Sequence, residues 1–301
     1  MILETLTAAL LIFTIIGYSR QFWWFSVADF FRLHYVVISL ALLLFAFMDL
    51  RFLVVLANML IIGLNLYKIM RFPPNLKDLH IEGKKDVLSI NAYKHNHDPS
   101  KLLNLLGKAD ADLLLIMEMT DELEKQLRPQ LNQYKDHLET YVRDGFRIAL
   151  YSKTTLEDKN VSHYGKNETP LLEAKTVFGD TKFQVYSAHP KPALNKKWFE
   201  ERQAYFEDLT KIINETELPV LAMGDFNSVP WEKHFTKFLE NTDMKSTLEG
   251  HGYKITWPAV MPLFGVPMDH ILMKRGTQYY NFNIGPYAGS DHYPIAIDLV
   301  E

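Results

Sequence analysis

Six short segments each end an apolar run in a residue with a chemical handle. They are "LSINAY" with Asn91, "LLLIMEM" with Glu118, "VYSAHP" with His189, "MGDFN" with Asp225 and Asn227, "PMDHIL" with Asp269 and His270, and "GSDHYP" with Asp291 and His292. Taken singly, each also reads as a strand followed by a turn, because Asp, Asn, Ser, Gly and Pro are ordinary turn residues. Together they make an inventory for cleaving a phosphate ester. Glu118 and Asp291 are hard oxygen donors of the kind Mg²⁺ or Mn²⁺ prefers. Asp225 is suited to hold and deprotonate a water, and Asn227 to donate to charge developing on phosphorus oxygens. If the chain stays extended there, residues two apart face the same side and both address one substrate atom. The chain has no cysteine and its 11 histidines are scattered, which argues against a zinc site of close spacing.

Such residues need strands to present them. Periodicity predicts strands over 87–93, 111–117, 139–142, 147–152, 171–177, 182–187, 220–223, 270–273, 279–284 and 295–299. Helices are expected over 99–106, 121–131 (capped by Thr120 or Asp121) and 196–214. Many strands with few helices point to two sheets packed face to face and covered by helices. There is no internal repeat and no low-complexity tract.

The first seventy residues differ from the rest. Between residues 2 and 70 only Glu4, Arg20, Asp29, Arg32, Asp49, Arg51 and Lys68 are charged. The expectation is a membrane anchor over 1–71 with three spanning helices, about 2–19, 35–50 and 52–70, each near the ~20 residues a bilayer requires. Between the first two lies "RQFWWFSVADFFRLHY", an aromatic composition typical of a membrane interface. A buried helical hairpin and a signal peptide are the alternatives, and the chain offers neither a basic start nor a small-residue cleavage site. "FPPNLKD" opens a linker over 72–85, since two prolines cannot continue a helix. Arg20, Arg32, Lys68, Arg71 and Lys77 fall on one side of the membrane and Arg51 on the other, a small bias towards a cytosolic domain.

The motifs resemble those of the endonuclease/exonuclease/phosphatase (deoxyribonuclease I-like) superfamily over residues 86–301: "GDFN" after an apolar strand, "SDH" near the C-terminus, an early "NAY", and the Glu closing "LLLIME". The three-helix leader with "WWFSVADFFR", together with "ITWPAVMP", resembles a membrane-anchored bacterial branch, which favours multi-pass residence in the cell (inner) membrane and makes an extracytoplasmic domain plausible. The resemblance implies an α/β (α+β) four-layer sandwich, two mainly antiparallel sheets flanked by helices, and hydrolysis of a phosphodiester or phosphomonoester with Mg²⁺ or Mn²⁺. Carried over by motif, Glu118 is the principal metal ligand, with Asn91 and Asp291 close to the metal and its waters. Asp225 positions or deprotonates the attacking water, and Asn227 stabilises the pentavalent transition state. His292 contacts the scissile phosphate, oriented by Asp269, and His189 matches a second histidine of the nuclease and sphingomyelinase branches. Glu173 is a weak candidate for an acid partner of His189. Asn91 and Asp269 also fit local turns, and His270 reads as structural because adjacent strand residues face opposite ways.

Lys191, Lys196, Lys197 and Arg202 form either a basic lip for an anionic headgroup or the solvated start of a helix. Trp257 opens the apolar loop "WPAVMPLFGVP", read as core packing or as contact with lipid or an apolar part of the substrate. Of 32 basic and 36 acidic residues, 5 and 3 precede Phe72, leaving the remainder with a formal charge of −6. That balance disfavours a nuclease, which usually carries a basic surface. The first expectation is therefore a membrane-anchored phosphoesterase acting on a lipid headgroup or other surface phosphate; a membrane-tethered nuclease is the second, and a catalytically silent scaffold the third.

Overall fold

The computed structural model describes residues 1–18, 22–70, 83–142, 145–166, 169–274, 276–277 and 279–299. Most of the expected linker 72–85 lies outside them, as do Arg20, Arg71 and Lys77. Two six-stranded sheets make up the body. In chain order the strands are β1 (Gly83–Asn91), β2 (Ala109–Met119), β3 (Asp136–Tyr141), β4 (Arg147–Ser152), β5 (Glu157–Tyr164), β6 (Thr169–Phe178), β7 (Thr181–Ala188), β8 (Val220–Asp225), β9 (Met244–Ser246), β10 (Asp269–Lys274), β11 (Tyr279–Ile284) and β12 (Ile295–Leu299). One sheet runs β11-β12-β1-β2-β4-β3 and the other β5-β6-β7-β8-β10-β9.

Each sheet has one parallel pair at its centre, β1 with β2 and β7 with β8. A parallel pair needs a crossover, and here each crossover carries a helix. The leader contains α1 (Ile2–Ile16), α2 (Trp23–Phe30), α3 (Arg32–Met48) and α4 (Phe52–Ile69). The crossover helices are then α5 (Ser100–Lys108) and α7 (Lys196–Glu215), with α6 (Asp121–Leu131) and α8 (Lys233–Asn241) beside them. The strands β12 and β10 run antiparallel to β1 and β8. The carboxyl ends of β1, β2, β7 and β8 therefore share an edge with the amino ends of β10 and β12, and all six motif segments arrive there.

Side-chain parity decides which of those residues face inward. Val87, Leu113, Leu115, Val185, Leu221, Met223, Ile271 and Ile297 form the core between the sheets. Leu88, Leu114 and Ile116 pack outward on α5 and α6, and Ala222 and Leu272 outward on the Phe206 and Phe235 side of α7 and α8. Since alternate residues share a face, Asn91, His189, Asp225 and Asp269 continue the inner rows, while His270 falls on the outer face. The result is four layers: helix, sheet, sheet, helix.

The predicted helices and most strands match, and Thr120 caps α6 by accepting from the Leu123 amide at 3.2 Å. Three elements were not anticipated. The edge strand β5 is largely exposed and carries no apolar alternation, β9 has three residues, and α8 shows only the short apolar stripe Phe235, Phe238, Leu239.

Three spanning helices are not what the structure presents. Among the described residues only α4, with 18 residues, is by itself long and apolar enough to cross a membrane. The α2–α3 pair meets that test only jointly and is bent by 62°. The 15-residue α1 reaches about 22 Å at 1.5 Å per residue, short of a ~30 Å hydrocarbon core. The bend at Phe31 turns α2 onto the sandwich, and Phe30 and Ile69 join the core between the sheets.

Candidate active site

Glu118 reaches the inner edge through a fault in its strand. Regular alternation would place it with Leu114 and Ile116 on the outer face. Instead the pairing of β2 with β4 shifts register between Ile116 and Met119, Glu118 takes a φ of 53°, and Met119 rather than Glu118 joins the outer cluster. Bulges commonly re-aim a side chain at a functional site, and a non-glycine residue in the left-handed region is held there by its surroundings. Glu118 accepts from the Lys94 backbone amide at 3.1 Å and faces the Asn91 amide at 3.4 Å.

Asn91 is oriented by an Asx turn, its Oδ1 accepting from the Tyr93 amide at 3.1 Å. Its Nδ2 then points at Glu118 and at Asp225, 3.3 Å from the latter. Asn91, expected close to the metal and its waters, is thus an N–H donor that faces two carboxylates. Asp225 and Asn227 also depart from expectation. The strand ends at Asp225, and Asn227 has a φ of 49°, so the two are not extended neighbours on one face. The Asn227 amide donates to Asp225 Oδ1 at 2.8 Å, and its Nδ2 donates to the Pro190 carbonyl at 2.9 Å. One amide proton of Nδ2 remains for the cavity.

His292 donates from Nδ1 to Asp269 Oδ2 at 2.8 Å, leaving Nε2 at 3.7 Å from Asp225 Oδ2 and 4.0 Å from Asp291 Oδ1. Burial alone would lower the His292 pKa, but Asp269 and Asp225 override it and raise it, so the ring is held as a cation. Asp225 is pushed the other way from an ordinary carboxylate: burial raises it, His292 opposes, and Asp269 adds to the rise. His189 Nε2 lies 3.6 Å from Asp225 and 3.8 Å from Glu118. Burial lowers its pKa, keeping it neutral. Its partners are these two carboxylates and not Glu173, which accepts from Asn160 on the edge strand at 3.3 Å.

His270 sits behind the site, as its parity requires. Nε2–H donates to the Ser228 carbonyl at 2.8 Å, and Nδ1 accepts from the Ser246 hydroxyl at 3.1 Å. Burial brings its pKa down to about 4. Because the folded value lies below the unfolded one, His270 contributes stability that is present above about pH 6.5 and lost as pH falls towards 4, roughly 3 kcal/mol in all. Urea midpoints measured across that range should fall accordingly, and His270→Gln should flatten that part of the slope.

A cavity of about 390 Å³ opens onto these groups. Glu118, His189, Asp225, Asn227, Asp291 and His292 make its polar end. Trp257 lines it and donates from Nε1 to Asp291 Oδ2 at 3.3 Å. Lys191 is also in the lining, its ammonium 5.3 Å from the Trp198 ring centre. Lys196 and Lys197 are exposed at the start of α7 and outside the lining. Arg202 belongs to no lip: it is wholly buried. Spacing explains this, since Phe199, Arg202, Phe206, Leu209 and Ile213 fall on one helical stripe. Sequence reading missed Lys94, three residues past the end of β1, and the wall formed by Val27, Phe30 and Phe31. Lys94 had a signal, a cation in the loop after a motif strand; the wall had none, because it requires the leader to fold back.

Residues 88–292 match the model of the Endonuclease/Exonuclease/phosphatase family. The chain belongs to this family. Family members are metal-dependent hydrolases of phosphate esters, and this chain is such an enzyme. A UPF0294 protein of Vibrio campbellii is 24% identical over 229 residues, 72% of this chain and 78% of that protein. Among solved structures, the 3′ phosphatase NExo from Neisseria, bound to a product DNA hairpin, aligns with a TM-score of 0.57 at 15% identity, covering 72% of this chain and 100% of that one. Truncated Caenorhabditis elegans TDP2 gives 0.56 at 15% identity over 72% and 97%. Staphylococcus aureus beta toxin gives 0.53 at 14% identity over 72% and 100%. These likenesses show the shared sandwich.

The residues present suit the family's divalent cation. Asp291 Oδ1 is buried without a hydrogen-bond partner, and burial raises the Asp291 pKa, with His292 opposing. A buried carboxylate oxygen without a donor calls for a cation. Asp225, Asp269 and His292 also offer ligand atoms within 4.8 Å of one another, but the His292 Nδ1 is already taken up by Asp269 at 2.8 Å. Glu118 and Asp291 are the better donors.

Proposed function

We propose that the protein is a membrane-anchored phosphoesterase that hydrolyses the phosphate ester of a lipid headgroup or a similar surface phosphate. The observation that carries this reading is the composition of the cavity wall. Val27, Phe30 and Phe31 of the leader, with Leu194 and Trp198, line the same cavity as the carboxylates and histidines, an apolar share of the wall suited to a substrate whose phosphate is attached to something greasy. Exposed apolar side chains support anchoring: Val37, Leu44, Leu53 and Leu60 on α3 and α4, and Val260, Met261, Leu263 and Phe264 in the Trp257 loop. That loop is docked against the start of α3, His34 Nε2 donating to the Leu263 carbonyl at 3.0 Å. An enzyme fixed at the bilayer meets lipid at high effective concentration.

Glu118 and Asp291 would hold the cation, which when bound would supply Lewis-acid polarisation of a phosphoryl oxygen. Asp225 holds the attacking water and takes its proton, with Asn91 and the Asn227 amide fixing the carboxylate. The His292 cation, kept charged and oriented by Asp269, donates to the non-bridging oxygens as negative charge builds on them. Asn227 donates its remaining amide proton to the same charge, and His189 and Lys94 line the same cavity.

A panel of full-length enzyme against phospholipid vesicles, bis-p-nitrophenyl phosphate and supercoiled plasmid tests this. The expected outcome is headgroup-phosphate release with Mg²⁺ or Mn²⁺, abolished by chelation and restored by metal. Plasmid nicked faster than any lipid would replace the lipid reading with the nuclease, and no turnover with any metal would favour the scaffold.

A further inference from the structure

The segment that follows the catalytic Asp225 is held by the leader. Arg202 of α7, 0% exposed, donates one guanidinium nitrogen to the Asn227 carbonyl. Its other terminal nitrogen donates to Ser26 Oγ at 2.9 Å and to Glu232 Oε2 at 3.3 Å. Ser26 in turn donates to Glu232 Oε1 at 2.9 Å. Three further bonds tie the same stretch to the leader. Trp231 Nε1 donates to the Asp29 carbonyl at 2.7 Å, Lys68 to the Trp231 carbonyl at 3.3 Å, and Lys233 to the Tyr18 carbonyl at 3.0 Å.

Strand pairing gives this stretch little support, because β8 ends at Asp225 and Asn227 sits in the left-handed region. A planar guanidinium serves several acceptors in fixed geometry, and a buried ion pair is costly to break. We infer that Arg202 is a positioning residue for Asn227 and that α2, through Ser26, is the element that completes it: the N-terminal helices are part of the catalytic apparatus as well as an anchor. The inference rests on the role given above to Asn227. It also explains why α2 turns back onto the sandwich: the face that lines the cavity with Val27 and Phe30 brings Ser26 to Arg202.

Two variants of the full chain in detergent test this, Ser26→Ala and Arg202→Lys. Lysine keeps a charge opposite Glu232 but, as a single ammonium on a flexible stem, cannot hold all three partners in the fork geometry. Hydrogen exchange read by mass spectrometry should be about tenfold faster over 223–230 in Arg202→Lys, less so in Ser26→Ala, and unchanged over 87–96. On bis-p-nitrophenyl phosphate, kcat should fall about tenfold in Arg202→Lys with KM within about twofold, the pattern of a group that acts on the transition state alone. Wild-type exchange over 223–230 in both variants overturns the inference, as does faster exchange with unchanged kcat. If the wild type cleaves no phosphate ester, the functional reading falls, and the exchange data alone decide whether α2 holds the loop.

Discussion

Asp225→Asn should lower kcat by about a hundred- to ten-thousand-fold, the usual weight of a general base, and should not lower the thermal midpoint in metal-free buffer. Both halves follow from the same surroundings. The amide preserves the oxygen that accepts from the Asn227 backbone at 2.8 Å, so the turn keeps its shape. What is lost is the negative charge that takes the proton of water. That charge is a burden on the fold: burial raises the Asp225 pKa against the opposing His292. A carboxyl whose folded pKa exceeds its unfolded value contributes stability at low pH that disappears as pH rises through the folded pKa. At neutral pH, above the unfolded value, that raised pKa is a cost to the fold, and a neutral isostere relieves it. Steady-state kinetics and a melting curve on one preparation check the pair. A variant that melts well below wild type would show that Asp225 is structural and would make its kinetic loss uninformative.

Gly224→Ala should have the larger effect on the fold. Gly224 has a φ of 143°, and a Cβ there would lie 1.9 Å from the Ala188 carbonyl oxygen. That obstacle is backbone, between the central parallel strands β7 and β8, so no side chain can swing aside. Strain in a glycine-only region costs about 1–3 kcal/mol and overpacking about the same again, enough to consume much of a typical domain's stability. The strands that would separate lead directly into His189 and end in Asp225, so activity should vanish even in molecules that remain folded. Denaturant titration should show a midpoint shift of that size; a wild-type midpoint would mean that the close approach of β7 and β8 can relax.

The "GDFN" motif thus owes its glycine to packing, which the residue types do not announce, while its acid and amide carry the chemistry only in the proposed function. Strand ends with polar residues were legible because inter-sheet strands are apolar runs, so an Asp or His closing one stands out. The parity that sends Asn91, His189, Asp225 and Asp269 inward was present too, in the alternation of β1, β7, β8 and β10. Glu118 breaks that parity, and no propensity announces a bulge between Ile116 and Met119. The shared face of Asp225 and Asn227 holds only if the chain stays extended, and an Asx turn ends the strand there instead. Arg202 was misassigned by grouping it with neighbouring lysines when its helical stripe already marked it as buried. Hydropathy gives three spans over about 2–19, 35–50 and 52–70, and it is blind to the bend at Phe31 that brings α2 into the wall of the cavity.

The central claim is that Glu118, aimed by its bulge, and Asp291 hold the cation on which hydrolysis depends. Its most direct test is the rate of bis-p-nitrophenyl phosphate hydrolysis by the full-length enzyme as a function of Mg²⁺ or Mn²⁺, for wild type and Glu118→Gln. The account predicts saturable metal activation in the wild type, and in Glu118→Gln either none or activation at concentrations at least about tenfold higher. Equal metal dependence in the two proteins, or wild-type hydrolysis undiminished by chelation, would contradict it.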